Sequence, residues 1–198
     1  MDVFGAISER RSIRKFSAGE IPREHIDKIL LAGTEAPSAK NRQPWKFIVV
    51  TEKDRAAMLQ EMKRGIDNTK INGGLLPGFT QYIGGAEHTM AIMGQAPVTV
   101  FIFNTEENYL WDDADVQQKL FDIANIQSIG AAIQNMLLAA TGLGIGSLWI
   151  CDVFFAYKEI CGWLGEENQM IAAVSFGYPD ESPGPRPRKG IGDITVWR

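Results

Sequence analysis

The sequence predicts an α+β fold, with a mixed central sheet flanked by helices, and three observations carry that prediction. Three apolar runs, "KFIVV" (46–50), "PVTVFIFN" (97–104) and "MIAAVSFG" (170–177), read as buried strands. Ile126, Ile129, Ile133, Leu137 and Ala140 step by 3, 4, 4 and 3, which lines one face of a long helix. Strands and helices alternate without repeated strand–helix–strand units, leaving an α+β or three-layer arrangement around the sheet. The chain of 198 residues is long enough for one domain, 1–198, with a sizeable core.

The elements follow in order. Val3, Phe4 and Ile7 suggest a first short helix. Pro22 suits a helix start, and Ile26, Ile29 and Leu30 give that second helix an apolar face. After "KFIVV", Thr51 and Asp54 resemble a capping box for a helix through about Arg64. Residues 65–88, with six glycines and a proline, read as a long mobile loop or as short helices joined by loops. The wider stretch of about 65–115 is expected to act as a Gly-rich lid or insertion. The alternative is an idle surface insertion. A long helix follows "DDADVQ", glycine ends it, and "IGSLWI" begins a strand. "AYKEICGWLG" reads as a short helix stopped by Gly165, and "DITVW" as a terminal strand.

Charge is unevenly placed. The net charge is −4 and the pI about 5.3, yet residues 1–70 sum to +4, residues 71–185 to −11 and residues 186–198 to +3. Cations therefore gather near the two chain ends. A nucleic-acid binder would show a broad basic face and a high pI, so a compact anion is the better expectation. The start carries Asp2 and Glu9 and lacks the apolar core of a secretory signal. The most apolar stretch, 129–157, is too interrupted to span a membrane. A cytoplasmic setting is expected. Cys151 and Cys161 do not form a CxxC motif, and His25 and His88 lack metal-ligand spacing, so neither a disulfide framework nor a metal site is expected.

Four short motifs can carry chemistry, each with a plain structural alternative. Arg10, Arg11, Ser12 and Arg14 offer guanidinium forks and a hydroxyl to a phosphate; the alternative is a solvated basic turn. "APSAKNRQPW" (36–45) places Pro37, Ser38, Ala39, Asn41 and Gln43 on a tight loop before a strand; the alternative is an ordinary helix-to-strand connection. "GLGIGSLWICD" (142–152) spaces its glycines as GxGxG after a helix, which is not the dinucleotide fingerprint. Its small residues let a group approach the backbone beside Trp149, Ile150, Cys151 and Asp152; a helix cap and buried strand explain it equally well. "PRPRKG" (185–190) holds Arg186, Arg188 and Lys189 on a Pro-rich loop, or is a flexible basic tail.

Their order is more specific than any one of them. RRSxR, APSxxNxQPW, GLGxxxWI, then GYP followed by PRxRK resembles the FMN-dependent nitroreductase family, from Arg10 to Lys189. The resemblance implies an interlocked homodimer with FMN at the subunit interface. It assigns Arg10, Ser12 and Arg14, with Arg11, Arg186, Arg188 and Lys189, to the phosphate and ribityl chain. Pro37, Ser38 and Asn41 would reach the partner subunit's flavin, with Ala39 and Gln43 beside them. Trp149, Ile150, Cys151 and Asp152 would line the isoalloxazine, although members often carry glycine near Cys151 or Asp152. Activity would be an NAD(P)H oxidoreductase passing hydride through flavin N5 to a nitroaromatic, quinone or similar small acceptor, without a catalytic side chain. NADH or NADPH would be the reductant. Dehalogenating or flavin-fragmenting chemistry on the same fold, and a non-catalytic FMN-binding module, are the alternatives. Neither nucleic acid nor membrane is expected as a partner. Cys151 is expected to be an inert thiol.

Overall fold

The computed structural model describes residues 1–73, 78–106 and 115–198. Four strands form one sheet: β1 (Trp45–Thr51), β2 (Val98–Asn104), β3 (Gly146–Ile150) and β4 (Gln169–Gly177), in the order β1-β2-β4-β3. All three ladders are antiparallel. The parallel component of the expected mixed sheet is one isolated bridge, Ser12 to Ser147.

Two of the three runs read as strands, β2 and β4, are buried on both faces, while β1 at the edge of the sheet is largely half-exposed. Every residue of β2 is buried. Phe101 and Phe103 face one core, with Met170 and Ala173 of β4; Val98, Val100 and Ile102 face the other, with Ala172, Val174 and Phe176. Period-two alternation therefore feeds two cores rather than a core and solvent. A register shift between Ile102 and Phe103 adjusts the ladder with β4.

Helices cover both faces. On one lie α2 (Arg23–Thr34) and α5 (Val116–Gly142). Buried Ile129, Ala132, Ile133, Met136, Leu137 and Ala140 give α5 its inner stripe, while Ile126 is 37% exposed and lies outside it. On the other face lie α3 (Glu52–Asn72), α4 (Ile83–Met93) and α6 (Tyr157–Leu164), which enclose Met58, Met62, Ile66 and Met93. A short α1 (Val3–Glu9) is capped by Asp2, whose Oδ1 accepts from the Gly5 N–H at 2.7 Å.

Three local expectations are corrected. The third helix continues past Arg64 to Asn72, because the Met58, Met62, Ile66 and Thr69 face stays buried. Residues 65–72 and 83–93 are therefore helical; residues 74–77 and 107–114 of the expected lid lie outside the described residues. The Thr51 side chain makes no cap hydrogen bond, since Thr51 is still a rung of β1 opposite Val98. "DITVW" is not a strand of this sheet. Asp193 turns the chain by accepting the Gly190 N–H on Oδ2 at 3.0 Å, giving the one-turn helix α7 (Ile191–Ile194). Beyond it the backbone is extended at Thr195, and Val196 and Trp197 are 83% and 92% exposed.

Candidate functional site

The "RRSIRKF" segment is held flat against one edge of the sheet. The chain leaves α1 at Arg10, whose N–H caps the helix on the Ala6 carbonyl. From there it runs extended. The Ile13 N–H donates to the Ser147 carbonyl at 2.9 Å, and the Ser17 N–H to the Tyr178 carbonyl at 2.9 Å. Ile13 and Phe16 turn inward and are buried, while Arg14 and Lys15 point out. Two glycines make room for the inward pair. A Cβ on Gly146 would stand 2.9 Å from Ile13 Cγ1, and one on Gly177 would stand 2.7 Å from Phe16 Cδ1.

The same edge receives the C-terminal loop. The Asp180 N–H donates to the Lys15 carbonyl at 2.9 Å, and Glu181 Oε1 accepts the Arg14 N–H at 2.5 Å. These bonds fold the loop back, so that Arg10, Arg11, Ser12, Arg14, Arg186 and Arg188 line one cavity of about 300 Å³, closed by Pro183, Gly184 and Pro185. The two basic clusters are thus one site. Lys189 is exposed and is not among its walls. Arg11 is anchored by Nη1, which donates to the Ser8 and Arg10 carbonyls at 2.7 and 2.8 Å. Its Nε is buried and has no partner among the described residues. Such an orphan donor, beside five further guanidinium or hydroxyl side chains, suits an oxyanion.

The other expected residues lie elsewhere. Pro37, Ser38, Ala39, Asn41 and Gln43 form the turn before β1, packed on the N-terminal half of α5. The Ala39 N–H donates to Ser128 Oγ at 3.3 Å, and the Arg42 guanidinium lies 4.4 Å from the Phe121 ring centre. Lys40, Asn41 and Gln43 all have φ near +54° (54°, 54° and 53°), which costs non-glycine residues strain. Ser38 Oγ holds the turn by accepting the Gln43 N–H at 3.0 Å.

Trp149 and Ile150 end β3. Ile150 is buried in the core, so its backbone alone can face a ligand, while Trp149 is partly exposed above Gly130. Cys151 and Asp152 follow, at the mouth of a second cavity of about 490 Å³ whose other walls include Phe79, Tyr82, Phe154 and Phe155. Crowding around the sulfur pushes the Cys151 thiol pKa up, and Asp152 adds to the rise. β3 joins the two sites. Ser147 bridges to Ser12 at the cationic cavity, and four residues on, roughly 13 Å along the strand, stands Cys151. Glu181 and the aromatic walls carried no sequence signal, because their partners lie far along the chain; Gly146 belongs to the glycine run read as allowing close approach, and it is Ile13 that approaches.

Residues 7–178 match the model of the Nitroreductase family. The chain belongs to that family. A nitroreductase-family relative from Archaeoglobus fulgidus, provisionally named NADH dehydrogenase/NAD(P)H nitroreductase, is 31% identical over 180 residues, covering 88% of this chain and 84% of the relative. Among solved structures, a nitroreductase-type protein from Desulfovibrio desulfuricans in complex with FMN is 25% identical, with a TM-score of 0.73, covering 100% of this chain and 97% of that one. A BluB-like flavoprotein from Clostridium difficile 630 has the same fold, with a TM-score of 0.80, 24% identity and coverage of 100% and 99%. The nitroreductase fold expected from the ordered motifs is therefore the fold of this chain. Among the described residues no cluster of His, Cys, Asp or Glu could hold a metal ion, and no helix is long and apolar enough to cross a membrane.

Proposed function

We propose that the protein is a cytoplasmic FMN-dependent NAD(P)H oxidoreductase that reduces a nitroaromatic, quinone or similar small acceptor. The observation that carries the reading is the single cavity assembled from Arg10, Arg11, Ser12, Arg14, Arg186 and Arg188. Its donor set fits the phosphate of FMN, and the orphan Arg11 Nε gives that phosphate a buried partner. Each charge-assisted bond is worth about 1.5–3 kcal/mol. The FMN-bound relative and the NAD(P)H in the name of the archaeal relative support the same cofactor and reductant. The free Cys151 and Cys161 suit a reducing compartment.

When bound, FMN would supply the hydride carrier. The chain's part is to bind and orient. The arginines and Ser12 fix the phosphate end, and β3 leads from there to the backbone at Cys151 and Asp152, where the ring would lie. Trp149 flanks the ring, and the aromatic walls beyond Asp152 exclude water from one side. No catalytic side chain enters this scheme.

A second copy completes the site in this reading. Large apolar residues are exposed on α1 (Val3, Phe4, Ile7), on α5 (Val116, Leu120, Ile123) and on the C-terminal arm (Val196, Trp197), which a second copy would cover. β1 is an edge strand beside an apolar cavity of about 540 Å³ lined by Ile21, Pro22, Ile26, Leu30 and Val49, which suits the Trp197 arm of a second copy. The turn carrying Pro37, Ser38, Ala39, Asn41 and Gln43, remote from its own chain's cationic cavity, would then serve the partner's. The visible spectrum of the purified protein tests the cofactor. Flavin bands that bleach under anaerobic NADPH or NADH are expected. A colourless protein that ignores added FMN refutes the reading, and flavin bands resistant to both nucleotides reduce it to a binding module.

A further inference from the structure

We propose that the cavity beyond Asp152 binds a planar aromatic molecule carrying a positive charge or a hydrogen-bond donor, and that Asp152 selects for that group. The identification of this occupant as the electron acceptor rests on the flavin reading above; the binding itself does not.

The walls dictate an aromatic ligand. Phe79 and Tyr82 approach from the segment before α4, with ring centres 5.6 Å apart and planes tilted by 48°. Phe154 and Phe155 approach from the 3-10 turn Asp152–Ala156. Phe154 is braced from behind by Tyr157, stacked at 5.9 Å and 11°. Rings fixed in this way offer π faces at little entropic cost, and the volume of about 490 Å³ admits a one- or two-ring molecule.

Asp152 sets the polarity. Among the described residues it is the one charged side chain in the cavity's walls, beside the neutral amide of Gln81. Thr89, nearly buried on α4, donates its hydroxyl to Asp152 Oδ2 at 2.5 Å and fixes the carboxylate's orientation. Oδ1 makes no hydrogen bond among the described residues, which leaves one oriented acceptor beside apolar walls. The neighbouring Cys151 thiol, held neutral by crowding and by Asp152 itself, adds no second charge. A carboxylate acceptor held against aromatic walls rewards a cation or an N–H or O–H donor and disfavours an anion. The pairing joins α4 to the end of β3, so the selecting group sits where the strand delivers the ring of any ligand anchored at the cationic cavity.

Binding of benzamidine, phenol and benzoate to the full-length protein as purified with its flavin, measured by calorimetry or ligand-observed NMR, tests this. Benzamidine is expected to bind at least about tenfold more tightly than benzoate, with phenol between them. Asp152→Asn should bring benzamidine and benzoate within about threefold of each other. Tyr82→Ala, at an exposed position that folding tolerates, should weaken all three by about fivefold and leave their order unchanged. Benzoate binding as tightly as benzamidine, or a ratio untouched by Asp152→Asn, overturns the proposal. So does binding seen only after the flavin is stripped, since the cavity would then be part of the flavin's own bed. A flavoprotein reduced by NADPH that ignores these probes refutes this selection alone. A protein that sorts the probes yet never takes FMN refutes the oxidoreductase reading alone.

Discussion

Gly146→Ala tests how the cationic cavity is built. The new Cβ would stand 2.9 Å from Ile13 Cγ1 and 3.1 Å from both Cβ and Cγ2. Ile13 cannot step aside freely, because it is buried and its N–H is bonded to the next residue of the same strand, Ser147. Overpacking of this kind costs about 1–3 kcal/mol. At this chain length that lowers Tm by about 2–12 °C. The displaced segment carries Arg10, Ser12 and Arg14, so losing even one charge-assisted bond of about 1.5–3 kcal/mol weakens FMN by roughly tenfold to a hundredfold. Gly142→Ala is the control from the same "GLGIG" run: a Cβ there meets nothing within 4 Å. Ile13→Ala removes both Cγ atoms, so the double variant with Gly146→Ala should lose less stability than the two single losses added together. Fluorescence titration with FMN and thermal melts read both effects. Gly146→Ala that melts with wild type and holds flavin as well as Gly142→Ala refutes the steric account.

Four further outcomes are expected. Arg14→Ala, at an exposed side chain whose hydrogen bond among the described residues is to the Ser12 carbonyl at 3.3 Å, should lose flavin on gel filtration while the melting of the flavin-free protein barely moves; equal flavin content in mutant and wild type sinks the phosphate assignment. Gly65→Ala puts a Cβ 2.3 Å from Ala156 Cα, a backbone contact between α3 and the 3-10 turn, and should cost about 3 kcal/mol or more in urea unfolding; wild-type stability would deny that contact. Burial pushes the Glu166 carboxyl up, but the bonds from Lys46 (2.5 Å) and Asn168 win and hold it below its ordinary value of 4.5, so its contribution is present above that pH and is lost as pH falls through the lower, folded value. Lys46→Met should therefore cost about 1–2 kcal/mol at pH 7, discounted because Lys46 is half exposed, and the gap to wild type should close in acid; a gap that is constant with pH refutes the pair's role. Removing residues 191–198 should shift light-scattering mass toward the monomer, and an unchanged dimer would show that the arm is dispensable.

The sheet was legible because each strand is mostly apolar, and in β2 and β4 burial on both faces keeps the few polar positions from blurring the signal. The reach of α3 was not, although Met58, Met62 and Ile66 continue the spacing, because Gly65 and Asn68 look like breakers. Gly65 is there for the close approach of Ala156, not for a turn. The last residues looked like a strand by composition, and one carboxylate, Asp193, turned them instead. In the site, the arginines could be found because charge stands out in an acidic chain. Their convergence was implied only by the family resemblance and not by spacing, since it depends on Glu181 meeting an N–H 167 residues away. The aromatic cavity was invisible for the same reason: Phe79 and Tyr82 become walls only when α4 docks beside β3.

That distance of 167 residues has a consequence for how the protein is made. At translation speeds of about 5–20 residues per second, Arg14 leaves the ribosome roughly ten to thirty seconds before Glu181 exists. Throughout that interval the growing chain presents an unpaired arginine segment with no loop to close over it. The anion site is finished by a stretch synthesised 167 residues after its first half, so loading waits until that stretch has emerged. A ribosome stalled before Glu181 displays half a cradle, with nothing to hold the other side of its guest.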